Sequence, residues 1–213
     1  MSRARERTRR RVQREEAREQ IQSAAVALLR TERLRDLSVE MLMARTDLAR
    51  TAFYRYYDDL SSLVLELLGD VGVELYDIVV RWRDEAESDF TTATRRGLTD
   101  IVGYFERNGP LVLAVVDAAA ADEMVEKAYL EFLATYERVL VDGFDLLVER
   151  GDLPPCDTAA LATAFNLMGE RYLVASFGQP PYPDPKTVIS TLEMVWQRTI
   201  GAGIAEVRDP EPS

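Results

Sequence analysis

Over residues 60–78 the apolar side chains Leu60, Leu63, Val64, Leu67, Leu68, Val71, Leu75 and Ile78 recur every three or four positions. That spacing lines one face of an α-helix, and no stretch of useful length alternates polar and apolar residues as a strand would. Ile21, Ala24, Ala25, Leu28 and Leu29 repeat the helical period within residues 12–34. It returns in 90–107, 111–121, 123–150, 157–177 and 185–202, with two short patterns at 38–45 and 49–56. Breakers separate the later segments: Asn108-Gly109-Pro110, Gly151 followed by Pro154-Pro155, and Gly178 before a proline-rich loop. Ser38 reads as an N-cap, with Met41 rather than Glu or Gln three residues on, so the full capping box is missing. Asp58-Asp59 supplies the acidic start that suits the positive end of a helix dipole. The expected fold is all-α, with about nine helices.

Charge divides the chain. Residues 1–57 hold 14 Arg against 8 Asp and Glu, a net of +6, while residues 58–213 hold 12 Lys and Arg against 29 acids, a net of −17. A body that acidic repels polyanions, so any nucleic-acid contact is confined to the head. Arg3, Arg5, Arg7, Arg9, Arg10 and Arg11 sit in a segment too polar to bury anything. It is expected to be a disordered arm, free to enter a minor groove. The expected organisation is a basic arm (1–11), a small head (12–57), a helical body (58–205) and a frayed tail (206–213).

Whole classes of chemistry drop out. The chain has no histidine, which removes imidazole catalysis, His-containing zinc sites and a histidine pH switch. Cys156 is the single cysteine, so no internal disulfide forms. There is no glycine-rich phosphate loop and no metal-ligand spacing, and no enzymatic activity, metal or cofactor is expected. Without a signal peptide or an apolar run near 18 residues, the expected setting is cytoplasmic, with no membrane contact.

Residues 37–57 pair the two short helical patterns across a turn at Thr46-Asp47, behind a longer first helix, which is a helix-turn-helix arrangement. Carried by Leu37-Ser38-Val39, Leu42, Leu48, Phe53-Tyr54, Tyr56-Tyr57 and Leu63, residues 14–65 resemble the DNA-binding head of the TetR family of transcriptional regulators. The resemblance implies that the second helix of the motif lies in the major groove of double-stranded operator DNA. It assigns the contacts to Ser38, Arg45, Arg50, Thr51, Tyr54, Arg55 and Tyr56. The chemistry agrees, because arginine binds guanine or phosphate bidentately and hydroxyls donate to phosphate oxygens. Base reading falls to Arg50, Thr51 and Arg55, while Phe53 and Tyr57 belong to the core. Two positions depart from the family pattern. Asp47 stands in the turn, where a left-handed conformation is expected at some strain, and Leu60 replaces a phosphate-binding lysine.

Such a head implies a helical body that dimerises and binds a small molecule. Residues 161–177, LATAFNLMGERYLVASF, are similar to the corresponding helix of a mycobacterial repressor of that family with a long apolar ligand tunnel, a similarity that continues weakly to Trp196. It implies Asn166 as a polar contact in an apolar pocket; a structural helix-to-helix hydrogen bond is the alternative. By spacing alone, Tyr129, Leu133, Tyr136 and Leu140 share one helix face, flanked by Phe132, and Asn166, Glu170 and Leu173 share another. Tyr104 and Phe105 are placed to close the far side, and Glu170 to cap the pocket or pair across a dimer. Such a stripe builds plain core more often than pocket; as a pocket it suits an extended hydrophobic effector. Ala160, Ala164, Gly169 and Ala175, with Gly201 and Ala202, put small residues on the last two long helices, the expected homodimer interface. The expected function is a repressor that a hydrophobic ligand releases from a palindromic operator. The alternative is a helical ligand- or partner-binding protein with weakened DNA recognition.

Overall fold

The computed structural model describes residues 2–201. Among them lie seven α-helices and no strand: α1 (Ser2–Leu29), α2 (Val39–Met43), α3 (Leu60–Ala86), α4 (Phe90–Ala119), α5 (Glu123–Glu149), α6 (Thr158–Phe177) and α7 (Pro185–Trp196). A 3-10 segment, Arg50–Arg55, follows α2, and α7 runs on into a π-helical turn, Gln197–Gly201. Ala202 and the tail expected to fray, 206–213, lie outside the described residues.

The all-α expectation holds, with differences of detail that have physical causes. Residues 2–11, expected as a disordered arm, are the first turns of α1. The segment is mostly arginine, with alanine and glutamate between, and all three are strong helix formers. The segment 49–56 is 3-10 rather than α-helical. The break expected at 108–110 is absent, and α4 passes straight through Pro110. A proline inside a helix costs about 3 kcal/mol. Phe105, Leu111, Val112 and Val115 around it are all buried, at about 1.5–3 kcal/mol each, so packing prevails.

The chain forms two compact units. One comprises the residues up to Asp70 together with Pro110–Glu126, and the other Val71–Gly109 with the residues from Lys127 onward. The division between these units falls inside α3 and α4. In the first unit Ile21, Leu28, Leu42, Phe53 and Leu63 are buried and form the head's core. Arg33 from the loop after α1 pairs with Asp117 of α4, which raises the guanidinium's affinity for its proton. In the second unit Trp82, Phe144, Phe165 and Trp196 pack edge-on or tilted at ring separations of 4.6–6.1 Å. Gly143 permits this: a Cβ there would stand 2.8 Å from the Trp82 ring.

Candidate functional site

Ser38 caps α2 as expected, its hydroxyl accepting from the Met41 amide at 3.2 Å. The turn that follows is built by Thr46, not by strain at Asp47. The Thr46 hydroxyl donates to the Met43 carbonyl at 2.9 Å and accepts from the Leu48 amide at 3.2 Å, closing α2 and opening the next segment. Gly151 is the one residue with positive φ among those described, so the left-handed conformation expected at Asp47 is not adopted.

The segment expected to read DNA, 50–57, sorts its side chains cleanly. Phe53 and Tyr57 are buried, with ring centroids 5.5 Å apart, and Phe53 anchors the segment in the head's core. Tyr54 is 56 % exposed. Arg50, Thr51 and Arg55 are exposed, as are Ser38 and Arg45, and Tyr56 is half-buried. All seven residues assigned to DNA contact thus reach solvent, and the two assigned to core do not. Arg50 rests 3.6 Å from Glu40, a pair exposed on both sides and therefore weak. Leu60 begins α3 half-buried. The helix is instead capped by Asp59, whose carboxylate accepts from the Ser62 amide at 2.8 Å while the Asp59 amide donates to the Ser62 hydroxyl at 3.2 Å.

Sequence reasoning missed the group that holds this face in place. Glu66 of α3 accepts from Arg18 at 2.7 Å, Gln22 at 2.6 Å and the Tyr57 hydroxyl at 2.8 Å, joining α1, α3 and the end of the recognition segment. Burial pushes the Glu66 carboxyl up, but the Arg18, Tyr57 and Gln22 donors outweigh it and hold it below the usual range. The Tyr57 phenol is pushed up to about 12, first by burial and then by its bond to Glu66. Arg18 and Gln22 stand four apart on one helix, the only local signal for the pairing.

In the second unit the predicted stripe exists. Tyr129, Leu133, Tyr136 and Leu140 of α5 are buried, and Phe132 lies between two rings, 6.3 Å from Tyr129 and 4.8 Å from Tyr136. Tyr136 donates to the Gly72 carbonyl of α3 at 3.1 Å. Tyr129 donates to Glu170 of α6 at 2.6 Å, so Glu170 finds its partner inside the unit. Asn166 donates to the Leu133 carbonyl at 3.0 Å, the helix-to-helix bond that stood as the alternative to a ligand contact. One donor of its amide is thereby used, and its carbonyl oxygen is left as an acceptor. Leu173 is buried nearby in sequence on α6, whereas Trp196 belongs to the separate Trp82–Phe144–Phe165 cluster. Tyr104 and Phe105 of α4 are buried edge to face at 5.4 Å. The Tyr104 hydroxyl is fully enclosed and has no hydrogen-bond partner among the described residues. Burial raises the Tyr104, Tyr129 and Tyr136 phenols well above the usual range, so all three remain neutral donors.

Comparison with known proteins agrees with this architecture. Residues 94–202 match the sequence family described as the transcriptional regulator EthR, C-terminal domain. The HTH-type transcriptional regulators EthR of Mycobacterium tuberculosis and Mycobacterium bovis are each 30% identical over 185 residues, covering 84% of this chain and 85% of theirs. Among solved structures, the TetR family transcriptional regulator PfmR from Thermus thermophilus superposes with a TM-score of 0.62 at 18% identity, covering 82% of this chain and 96% of its own. The regulatory protein TetR from Rhodobacter sphaeroides gives 0.61 at 18% identity over 88% and 98%. No described helix is long and apolar enough to cross a membrane. The relatives are transcriptional regulators rather than enzymes, and the chain is a transcriptional regulator of the TetR family, similar to EthR.

Proposed function

We propose that this regulator is a repressor acting in the cytoplasm, bound as a homodimer to palindromic operator DNA and released by a small hydrophobic ligand in its helical body. The observation that carries the DNA role is the sorting of the recognition segment, with Arg50, Thr51, Tyr54 and Arg55 outward and Phe53 and Tyr57 inward. A twofold dimer suits that role, because paired heads meet half-sites one helical turn, about 34–36 Å, or a multiple apart. Leu167 on α6 and Met194 on α7 support the expected interface, being 49 % and 46 % exposed in one chain. At Gly169 an added Cβ would meet nothing, which leaves that stretch of α6 open to a partner helix.

The ligand role is supported by the Tyr104 hydroxyl, a buried donor with no partner amid aromatic rings. A carbonyl or ether oxygen on an extended apolar molecule would satisfy it, and Asn166, Glu170 and the Tyr129 stripe are the proposed neighbours. A gel-shift titration with the region upstream of the protein's own gene tests the reading. A sequence-selective, salt-sensitive shift that a bound ligand weakens is expected; no shift at any concentration rejects the DNA role. One feature favours the second reading, a helical ligand- or partner-binding protein with weakened DNA recognition: Asp47 is exposed beside the recognition segment.

A further inference from the structure

One stripe runs the length of the described part of α1 from Arg7. Its members, Arg7, Arg11, Arg14, Arg18, Ile21, Ala25 and Leu28, alternate steps of four and three, the spacing that keeps residues on one helix face. The second half of the stripe is apolar and buried: Ile21, Ala25 and Leu28 are within the head's core. The first half is arginine. Where it meets the core, Arg18 is neutralised by Glu66. Beyond it, Arg7, Arg11 and Arg14 are exposed, and among the described residues no ion pair engages them. Arginines at four- and three-residue spacing repel one another and weaken an isolated helix by tenths of a kcal/mol per pair, so the row is not explained by helix stability.

The row lines a cleft. Arg7, Arg11, Gln13, Arg14 and Ala17 form one wall, and Leu48, Ala52, Arg55 and Tyr56 the other, around a volume of about 630 Å³. Among the described residues four arginines face this cleft and no carboxylate does, while its far wall is the recognition segment itself. We infer that the cleft is a clamp for the phosphate backbone of duplex DNA, with Arg7, Arg11 and Arg14 forming a rigid helical rail beside the groove-reading segment. The inference rests on the DNA-binding reading and replaces the minor-groove arm with a different contact. A continuous helix does not thread a minor groove as an extended arm does, but its exposed face follows a strand. Arg7 to Arg14 spans about 10 Å of helix at 1.5 Å per residue. Successive arginines of the row stand about 4.5–6 Å apart at that rise, so each can reach its own phosphate, about three on one strand. The contact carries charge but no base recognition, so it strengthens binding to every sequence alike.

The test uses the full-length protein and two fluorescent duplexes, one of random sequence and one from the region upstream of its gene, titrated at several salt concentrations. The variant is R7Q/R11Q/R14Q, glutamine being a good helix former, with R7K/R11K/R14K as the charge-retaining control. Each lost phosphate contact lowers the slope of log affinity against log salt by about 0.9. For one head the wild type is therefore expected to lose roughly 40-fold more affinity than the glutamine variant between 0.05 and 0.2 M salt. The loss is expected on both duplexes, their affinity ratio unchanged, and the lysine variant keeps the wild-type slope. If the wild type selects the upstream duplex while the glutamine variant keeps its full salt slope, the clamp is wrong and the DNA-binding reading stands. A variant that loses preference for the upstream duplex with its slope intact also overturns the clamp, since the arginines would then read bases. If the wild type binds neither duplex, both readings fall together. Circular dichroism and the oligomeric state confirm that the variants fold.

Discussion

At the scale of single residues, Glu66 shows how one carboxylate ties the segment proposed to contact DNA to the helices behind it. Its carboxylate is shared by three donors from two elements, and Tyr57 adjoins the recognition segment. Because its folded pKa is depressed, the stability it contributes is present above its unfolded value near 4.5 and lost as pH falls through the folded value. Tyr57 contributes the opposite limb: its raised phenol gives stability that is whole below 10 and lost as pH rises through about 12. Glu66→Ala is expected to cost about 1.5–3 kcal/mol at pH 7, the range for hydrogen bonds to a charged group, and Glu66→Gln to flatten the acid limb. Urea unfolding between pH 3 and 7 checks both; an unchanged acid limb in the Gln variant would show that Glu66 does not govern it. On the exposed face, Arg50→Ala is expected to abolish preference for the upstream duplex while sparing stability, because its pair with Glu40 is solvent-exposed. Leu60→Lys is expected to add about one unit to the salt slope by supplying a phosphate contact. Anisotropy titrations read both, and an Arg50→Ala protein as selective as wild type argues against the recognition segment.

At the scale of elements, the helices that pack on a broad apolar stripe were legible, and the ones decided by long-range contacts were not. The period of Leu60–Ile78 specified α3 outright, and Ser38 marked the start of α2 within a residue. The seven positions assigned to DNA contact came from the family resemblance, and all of them reach solvent. Glu66 was not legible, since Arg18 and Gln22 lie 48 and 44 residues away in sequence. The Asn166 bond to Leu133 was visible only as one of two alternatives, and the Tyr129–Glu170 pair was not visible at all. Asn108-Gly109-Pro110 misled for a specific reason. Gly109 is there for close approach, not for a break: a Cβ would stand 2.7 Å from the Phe177 carbonyl carbon at the end of α6. Backbone cannot yield as a side-chain tip does, so Gly109→Ala is expected to destabilise by at least about 2 kcal/mol. Thermal unfolding reads this, and a neutral substitution would mean that α4 and α6 are not held at that distance.

At the scale of the whole molecule, the proposed ligand in the body would change operator affinity only through an element whose conformation both sites bias. Two helices run through both compact units. α4 does so at Gly109-Pro110, where the proline lacks the amide that would bond the preceding turn, and α3 does so at Asp70-Val71, between Gly69 and Gly72. Three of the residues at these crossings are accounted for without invoking motion. Gly109 meets Phe177; a Cβ at Gly72 would stand 2.8 Å from the Phe132 ring; Pro110 is buried among apolar neighbours. Gly69 is different, because it is exposed and an added Cβ meets nothing within 4 Å. Packing gives no reason for it, and glycine in a helix interior weakens the helix by about 0.5–1 kcal/mol relative to alanine. That weakness is what a helix bent by ligand binding would use. Gly69→Ala is therefore expected to raise the melting temperature and to narrow the ligand's effect on DNA affinity. For the wild type that effect is expected at about 5- to 150-fold, and linkage requires DNA to weaken ligand binding by the same factor. Measuring duplex affinity with and without a long-chain alkyl amide, in wild type and variant, separates the possibilities. A variant that melts higher yet keeps the full ligand effect assigns Gly69 no part in the signal and leaves α4, with its missing amide at Pro110, as the element that carries it.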